Sequence, residues 1–147
     1  MEAKKQAIIF DVDGTLAENM DGRIARHGKK AAPFQDWDAY DDKVSDHVVK
    51  MLNVLKDEFT IIICSGRKDS SKDVLKDWLR EHDIHYDELF MRRSNDNRPD
   101  YDIKQEIYFE KIEPFYEVFA AFDDRDQVVK NWRDLGIKTF QVAEGNF

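Results

Sequence analysis

Short apolar runs alternate with helical spacings along most of the chain. Four of these runs are typical of buried strands: Ala7–Phe10, Phe59–Cys64, Val118–Phe122 and Thr139–Val142. A weaker fifth run covers Glu88–Met91. Because the runs are apolar at successive positions instead of alternating with polar residues, they favour a parallel sheet that is covered on both faces.

Amphipathic stripes between the runs predict the helices. Apolar side chains recur at the three- and four-residue spacings that place them on one helical face. Ser70, three residues before Asp73, resembles the start of a capping box, and Gly136 stands where a helix C′ glycine is expected. The predicted helices cover residues 44–55, 74–79, 101–111 and 128–135.

The order of these elements predicts the fold class. Strands that alternate with helices are typical of an α/β protein with right-handed crossovers between parallel strands. We therefore expect one domain over residues 1–147, built as a three-layer, Rossmann-like parallel sheet with helices on both faces. In such sheets ligands bind beyond the carboxyl ends of the strands, so the residues that follow each strand are candidates for chemistry.

Composition and charge narrow the function classes. The chain has 147 residues, of which 41% are hydrophobic and 37% charged, and a formal net charge of −8. This balance argues against non-specific binding to nucleic acid or membranes, although two local basic segments occur, at residues 23–30 and 92–98. No apolar run is long enough to span a membrane, and no signal peptide is evident. The single cysteine, Cys64, excludes an internal disulfide, so we expect a reduced, cytoplasmic setting.

Residues with chemical potential stand at the ends of the predicted strands. Two carboxylates follow the first strand at spacing i, i+2, and the glycine behind them permits a sharp turn. A Ser-Gly-Arg sequence follows the second strand, a lysine lies just inside a helix, and two further carboxylates follow the fourth long strand. In chain order these residues are Asp11, Asp13, Ser65, Gly66, Arg67, Lys104, Asp123 and Asp124.

Collected at one edge of a sheet, these residue types fit phosphoryl transfer. Crowded carboxylates repel one another and need a cation, and a set of oxygen ligands without His or Cys specifies Mg²⁺. One carboxylate can attack phosphorus to give an aspartyl-phosphate, while a second protonates the leaving oxygen and later deprotonates water. Serine, backbone N–H groups and lysine can hold the phosphoryl oxygens as charge spreads over them.

Each signal also has a plain structural explanation. Asp124 could be a helix N-cap with Gln127 at the box position. Ser65–Gly66 alone is an ordinary turn, and Lys104 alone is an ordinary surface lysine. The Asp-x-Asp-Gly sequence is shared with calcium loops, but position 12 of such a loop would be Gly22 instead of glutamate. The combination favours phosphoryl transfer, because all the signals fall where one mechanism needs them.

The motifs resemble a known superfamily. Residues 10–16, Phe-Asp-Val-Asp-Gly-Thr-Leu, are similar to the first motif of the haloacid dehalogenase superfamily of phosphotransferases. Ser65, Lys104 and Asp123–Asp124 match its second, third and fourth motifs in order. Members that act on small metabolites usually carry a cap domain after the first or second motif. Neither gap is long enough for one here, so we expect a minimal cap and an open site.

A closer resemblance covers nearly the whole chain. Ser65–Arg67, the Arg92–Lys104 segment and residues 123–147 look like the 3′-phosphatase domain of bacteriophage polynucleotide kinase-phosphatase. This resemblance implies that Asp11 is the nucleophile and Asp13 the general acid/base.

The same resemblance implies the remaining roles. It assigns phosphoryl binding to Ser65 and Lys104, and Arg93 is the alternative to Arg92 after a shift of one residue. The implied metal ligands are Asp11, the main-chain carbonyl of Asp13 and Asp124, with Asp123 in support. The implied substrate-binding residues are Gly66, Arg67, Arg92 and Asp100.

These observations lead to a functional prediction. The sequence contains no P-loop, so we expect any 5′-kinase activity to come from another chain, with a separate kinase or ligase as a partner. An open site with basic borders suits a polymer end, so we predict a Mg²⁺-dependent 3′-phosphatase of DNA or RNA ends. The alternatives are a phosphatase of nucleotides or other small phosphoesters and, disfavoured because every motif residue is present, a non-catalytic binding or scaffold module.

Overall fold

The computed structural model describes residues 3–19 and 42–147, and a five-stranded parallel sheet forms its centre. The strand order is β3-β2-β1-β4-β5, so the chain runs from the central strand to one edge and then returns to build the other. The parallel α/β sheet is therefore confirmed. The strands are β1 (Lys5–Phe10), β2 (Thr60–Lys68), β3 (Glu88–Arg92), β4 (Tyr116–Asp123) and β5 (Thr139–Gln141).

Helices fill the connections that the structure describes. A 3₁₀ turn at Asp69–Ser71 leads into the second of them, and a π-helical turn at Tyr108–Ile112 continues the third. The predicted helix over 101–111 is therefore confirmed in place, but its last turn is wound differently. The helices are α1 (Asp46–Leu55), α2 (Lys72–Glu81), α3 (Asp100–Ile107) and α4 (Asp126–Asp134).

The end of α4 follows the sequence prediction. Gly136 has a φ of +85°, a conformation that glycine adopts without steric cost. The N–H of Ile137 donates to the Trp132 carbonyl (3.0 Å), which completes a Schellman termination.

The start of α2 does not follow the sequence prediction. Ser70 lies inside the 3₁₀ turn, and α2 begins only at Lys72, so the predicted capping box at Ser70 is wrong. The Ser70 N–H donates to the side-chain hydroxyl of Ser94 (3.2 Å). This contact holds the turn against the loop that follows β3.

Alternate side chains of the central strand enter two separate cores. Ile8 and Phe10 pack on the side of α1 and α2, whereas Ala7 and Ile9 pack on the side of α3 and α4. All four are at most 1% exposed. Burial on both faces explains why the strands are continuous apolar runs in the sequence, and it confirms the three-layer arrangement.

The connection from β2 to α3 is one of the two places where a cap domain could be inserted. Between Ser65 and Lys104 the structure contains only α2, β3 and short turns, so no cap domain lies there. Residues 20–41, which make up most of the other gap and include the basic segment at 23–30, lie outside the described residues. Among the helices that are described, none is long and apolar enough to cross a membrane.

Candidate active site

The carboxyl ends of β1, β2 and β4 meet at one edge of the sheet, where the strand order reverses. Asp11 directly follows β1, and its N–H donates to the carbonyl of Phe122 in β4 (3.0 Å). Asp123 is the last residue of β4 and not the first after it, because β4 stays paired with β5 up to that point. Open α/β sheets bind ligands at this kind of position.

Three of the residues predicted to hold a metal form a buried cluster. One carboxylate oxygen from each of Asp11, Asp123 and Asp124 lies within 4.8 Å of the other two. The hydroxyl of Thr15 lies 3.3 Å from an oxygen of Asp11 and from an oxygen of Asp124. All four residues are at most 7% exposed, so water screens the repulsion between the carboxylates only weakly.

Lys104 supplies one positive charge to this cluster. Its Nζ lies 2.8 Å from Asp11 Oδ1 and 2.9 Å from Asp123 Oδ2. The residue lies one turn into α3 and is only 2% exposed, so the explanation as a surface lysine is wrong. Burial alone would lower the pKa of Lys104, but Asp11 and Asp123 outweigh it and hold the pKa well above the usual value.

Among the residues that the structure describes, the cluster lacks enough positive charge to keep every carboxylate ionised. Burial and the neighbouring Asp123 raise the pKa of Asp11 well above its usual value, against the opposing effect of Lys104. Burial and Asp123 likewise raise the pKa of Asp124 to about 6. Three acids share one ammonium group, and a bound cation would relieve the repulsion that remains.

Two glycines make room for Asp124. Gly14 has a φ of +83°, and a Cβ there would lie 2.0 Å from Asp124 Oδ2. A Cβ on Gly145 would lie 1.9 Å from the Asp124 carbonyl oxygen. Asp124 is not a helix N-cap, since α4 begins at Asp126 and Arg125 occupies the cap position. Its carboxylate therefore faces the cluster, and the all-oxygen donor set fits a hard divalent cation.

Asp123 is the most constrained member of the cluster. Its Oδ1 accepts the backbone N–H of Asp124 (2.9 Å), and its Oδ2 accepts the indole N–H of Trp132 (3.3 Å) as well as the Lys104 ammonium. Trp132 is fully buried and contacts Tyr108 edge-on. These bonds fix the Asp123 side chain from two directions, which suits the supporting role that was expected of it.

The side chain of Asp13 turns away from the cluster toward Arg67. Arg67 Nε lies 2.9 Å from Asp13 Oδ2, and its Nη2 lies 2.6 Å from Asp13 Oδ1. Arg67 also contacts Asp42 Oδ2 (3.2 Å). Burial would lower the pKa of Arg67, but Asp13 outweighs it and raises the pKa above the usual value. Arg67, predicted to bind substrate, thus clamps the candidate general acid in a bidentate pair.

Asn19 and Asp42 are functional candidates that sequence reasoning missed. Asn19 Nδ2 donates to Asp13 Oδ1 (2.6 Å) and to Asp42 Oδ2 (3.1 Å). Backbone bonds between residues 16–18 and 43–45 bring the two side chains together. Neither residue belongs to a motif with a fixed spacing. Only their contacts in the folded structure identify them as candidates, and those contacts cannot be seen in the sequence.

Ser65 and Gly66 lie within β2, not after it as predicted. The strand continues to Lys68 because, past an irregularity that begins at Ser65, it pairs with β3 again at Arg92. Ser65 is fully buried, and its hydroxyl accepts the N–H of Arg67 (3.1 Å). A Cβ on Gly66 would lie 2.6 Å from Asp100 Oδ1, so only glycine leaves room for that carboxylate.

Asp100 joins two arginines beside the cluster. Its Oδ1 accepts from Arg92 Nη2 (2.5 Å), and its Oδ2 accepts from Arg125 Nη1 (2.9 Å). Arg92 also donates to the carbonyls of Gly66 (2.8 Å) and Asp96 (3.0 Å) and to that of Arg98. Arg92 is 8% exposed, and in this structure its guanidinium bonds to the protein.

Arg125 adds a further link that the sequence did not suggest. Its Nε donates to the Phe147 carbonyl (2.7 Å), and its guanidinium lies over the Phe147 ring at 5.2 Å. Arg125 thereby connects Asp100, at the start of α3, to the loop that carries Asp124. By contrast, Arg93 and Lys68 are exposed.

The fold and the aspartate cluster together define a haloacid dehalogenase-type phosphatase. A class C acid phosphatase from Bacillus anthracis, with tungstate bound, has the same fold at a TM-score of 0.67 and 16% identity, and the match covers 99% of this chain and 68% of that one. An L-2-haloacid dehalogenase matches with a TM-score of 0.62 and 17% identity over 95% of this chain and 85% of that one. Phosphatases of this type generally use a divalent metal, and the buried cluster is compatible with one.

The chain belongs to the family described as the polynucleotide kinase PNKP phosphatase domain, which matches residues 5–147. It is therefore a phosphoric monoester hydrolase of the polynucleotide phosphatase type. A chain of the Pnkp1/Rnl/Hen1 RNA repair complex shares 34% identity and a TM-score of 0.87, over 98% of this chain and 44% of that one. A protein of Autographa californica nuclear polyhedrosis virus, named a bifunctional polynucleotide kinase/RNA ligase, is 34% identical over 91% of this chain and 19% of its own length. The chain thus spans less than half the length of these relatives.

Proposed function

We propose that this chain is a Mg²⁺-dependent polynucleotide 3′-phosphatase that works through an aspartyl-phosphate on Asp11. The observation that carries the proposal is the pairing of Asp11 with the buried ammonium group of Lys104 inside the carboxylate cluster. Asp13, two residues further on, lies outside that cluster. A nucleophile and a separate proton donor are the two groups that such a mechanism needs.

The residues present fit Mg²⁺. Asp11, Asp124 and the main-chain carbonyl of Asp13 would hold the ion, and Asp123 would support it through the bonds that fix its own carboxylate. Hard oxygen donors in this number, with room for water and a phosphate oxygen, are typical of magnesium sites. When bound, Mg²⁺ would neutralise charge on the carboxylates and on the phosphoryl oxygens.

The proposed reaction has two steps. In the first, an oxygen of Asp11 bonds to phosphorus while the bond from phosphorus to the 3′ oxygen breaks, and Asp13 gives that oxygen a proton. In the second, Asp13 takes a proton from a water molecule, whose oxygen bonds to phosphorus as the acyl-phosphate bond breaks. Asp11 is then free again, Asp13 is protonated again, and inorganic phosphate leaves.

Lys104 and the end of β2 would hold the phosphoryl group. The Lys104 ammonium lies against Asp11 Oδ1, so it is placed to stabilise charge on the oxygens of a phosphoryl group attached there. The hydroxyl of Ser65, on β2, would donate a hydrogen bond to a phosphoryl oxygen. Gly66 would let the phosphoryl group approach the backbone closely, because it carries no Cβ.

The 3′ end of a polymer is the substrate that the surroundings favour. No cap domain lies between Ser65 and Lys104, so the site has no built enclosure on that side. Relatives of the chain carry names that refer to polynucleotide kinase, RNA ligase and RNA repair. We assign contacts with phosphates of a nucleic-acid backbone to Arg93 and Lys68, which are exposed at the carboxyl ends of β3 and β2. A kinase or ligase would be the natural partner.

Arg92 was expected to bind substrate, but we propose a structural role for it. Its guanidinium donates to Gly66, Asp96, Arg98 and Asp100. We therefore assign it the role of positioning the end of β2 and the start of α3, and we assign the backbone contact to Arg93.

The experiment that tests the function compares four substrates. One oligonucleotide carrying either a 3′- or a 5′-phosphate is assayed beside a 3′-mononucleotide and p-nitrophenyl phosphate, over a series of salt concentrations. We expect the 3′-phosphorylated oligonucleotide to be preferred, with a rate that falls as salt rises, since backbone contacts release counterions. Equal rates on both ends, or a preference for the mononucleotide at every salt concentration, would leave only a phosphatase of small phosphoesters.

A further inference from the structure

We propose that Asn19 is a positioning residue that aligns both functional parts of Asp13, its side-chain carboxylate and its main-chain carbonyl. Asn19 is an asparagine outside every motif, 7% exposed, whose side chain reaches back across the turn that follows β1. The proposal rests on the proposed function, in which the Asp13 carboxylate moves the proton and the Asp13 carbonyl faces the metal.

The first contact fixes the carboxylate of Asp13. Asn19 Nδ2 lies 2.6 Å from Asp13 Oδ1, the same oxygen that Arg67 Nη2 approaches at 2.6 Å. Asn19 Nδ2 and Arg67 Nη2 also share Asp42 Oδ2, at 3.1 Å and 3.2 Å. The four side chains form a closed ring in which two donor groups alternate with two carboxylates. A carboxylate held from two directions cannot rotate without breaking a bond, so its position toward the leaving oxygen is set.

The second contact fixes the main chain. Asn19 Oδ1 accepts the N–H of Gly14 at 2.9 Å, and the same N–H also donates to the Ala17 carbonyl at 2.9 Å. This N–H belongs to the peptide group between Asp13 and Gly14, which is trans. In a trans peptide the N–H and the carbonyl point in opposite directions, so the two bonds from Gly14, to the Asn19 side chain and to the Ala17 main chain, together set the direction of the Asp13 carbonyl. That carbonyl is the proposed third metal ligand.

Only a side-chain amide of this length makes both contacts. An asparagine offers an acceptor oxygen and two donor hydrogens on one planar group, and Asn19 uses the oxygen for Gly14 and the nitrogen for Asp13 and Asp42. Aspartate would keep the acceptor but would place a third carboxylate against Asp13 and Asp42. Alanine would remove both contacts. The two substitutions therefore separate the carbonyl role from the carboxylate role.

The kinetic test uses the leaving group. Native protein, Asn19→Ala and Asn19→Asp are assayed on p-nitrophenyl phosphate, whose leaving group needs little protonation, and on phenyl phosphate, which needs more. Because Asn19 acts through the proton donor, we expect both variants to lose at least about tenfold more kcat/KM on phenyl phosphate than on p-nitrophenyl phosphate. Equal losses on the two esters in both variants would overturn the role toward the carboxylate.

The metal test does not depend on turnover. Calorimetric titration with Mg²⁺ should show weaker binding to Asn19→Ala by about two- to tenfold, as expected for one lost hydrogen bond between uncharged groups. Asn19→Asp, which keeps an acceptor for Gly14, should bind Mg²⁺ no more weakly than the native protein. Unchanged binding to Asn19→Ala would overturn the role toward the carbonyl.

Thr139→Ala is the matched control. Thr139 is also buried, and it lies on β5, away from the cluster. The substitution removes one hydrogen bond, which the Thr139 hydroxyl donates to the Ile137 carbonyl (3.0 Å). It should lower the melting temperature without a leaving-group effect or a change in Mg²⁺ binding. A leaving-group effect in Thr139→Ala as large as in Asn19→Ala would show that general loosening, and not Asn19, is responsible.

The substrate assays keep this inference separate from the proposed function. If native protein hydrolyses the aryl phosphates but no oligonucleotide 3′-phosphate, the proposed substrate is wrong, and the aryl comparison still judges Asn19. If the native protein hydrolyses neither, the Mg²⁺ titration still confirms or overturns the carbonyl role.

Discussion

Two ionic networks lie side by side at the carboxyl edge of the sheet, and they are unbalanced in opposite directions. Around Lys104, the carboxylates of Asp11, Asp123 and Asp124 share one ammonium group. Around Asp100, a single carboxylate is shared by the guanidinium groups of two arginines. The first network therefore has an excess of negative charge, and the second has an excess of positive charge.

The contrast teaches that local imbalance, and not net charge, determines what the site attracts. The chain as a whole carries −8, which by itself would argue against an anionic substrate. The negative network suits a divalent cation, while the positive network, which reaches the end of β2 at Gly66, suits the phosphate that such a cation would bind. A phosphatase site needs both in contact, and here the loop from Asp123 to Arg125 belongs to both.

The largest effect is expected from Asp11→Asn, which breaks the negative network at its reacting atom. Enzymes accelerate the hydrolysis of phosphate monoesters by up to about 10²¹-fold, so positioning alone cannot replace a missing nucleophile. Turnover of p-nitrophenyl phosphate should fall by more than about 10³-fold. Retention of more than a few per cent of native activity would contradict the covalent mechanism. A native-like melting temperature in the same variant shows that it is folded.

Removal of the cation should stop the reaction nearly as completely. After dialysis against EDTA the protein should be inactive, and Mg²⁺ should restore turnover. Ca²⁺ should bind without supporting much turnover, because its larger and looser coordination shell positions the phosphoryl group poorly. Full activity in excess EDTA would contradict the metal assignment.

The positive network is tested by comparing neighbouring arginines. Arg92→Met removes the bonds to Gly66 and Asp100, and it should lower kcat/KM by about ten- to a hundredfold on p-nitrophenyl phosphate and on a 3′-phosphorylated oligonucleotide alike. Arg93→Met should spare p-nitrophenyl phosphate and weaken only the oligonucleotide reaction, with a shallower dependence on salt. The opposite pattern, with Arg92→Met selective for the oligonucleotide, would return the substrate contact to Arg92.

The smallest effect is a pH dependence of stability in the metal-free protein. Because the pKa of Asp124 is raised to about 6 in the folded state, the folded protein holds a proton that the unfolded chain releases at lower pH. The free energy of unfolding should therefore fall as pH rises from about 4, near the ordinary aspartate pKa, through about 6. Melting temperatures in EDTA measure this fall, and Mg²⁺ should reverse it.

Asp124→Asn is the control for that pH effect. The variant cannot titrate at this position, so its melting temperature should change less between pH 5 and 7 than that of the native protein. An equal fall in both would assign the effect to other groups. Some slope should remain, because the pKa of Asp11 is raised as well.

How far the sequence predicts this molecule depends on whether a feature is local. Five strands, their parallel pairing and the C′ glycine at Gly136 follow from apolar runs and turn chemistry, which act over neighbouring residues. The predicted capping box at Ser70 is wrong because Ser70 lies in a 3₁₀ turn, where its N–H bonds to Ser94, a residue distant in the sequence. Local propensity yields where a tertiary contact competes with it.

The site divides in the same way. Asp11, Asp123 and Asp124 stand at strand ends and Lys104 lies one turn into α3, so the topology of the fold brings them together as predicted. Side-chain contacts that no spacing in the sequence predicts bring in three further residues, Asn19, Asp42 and Arg125. The role of Arg92 could not be predicted from the sequence either. An arginine near a phosphatase site can bind the substrate or bond to other residues of the protein, and only its contacts in the structure distinguish the two roles.

Trp132 gives the negative network an optical readout. Its indole N–H donates to Asp123, inside the core and away from solvent. Indole emission responds to nearby charge, so a cation that settles among the carboxylates would change the fluorescence of a residue that never touches it. The chain has three tryptophans, and the difference between native protein and Trp132→Phe isolates this one. Trp132, a core residue, is thus an intrinsic fluorescent probe of the carboxylate cluster.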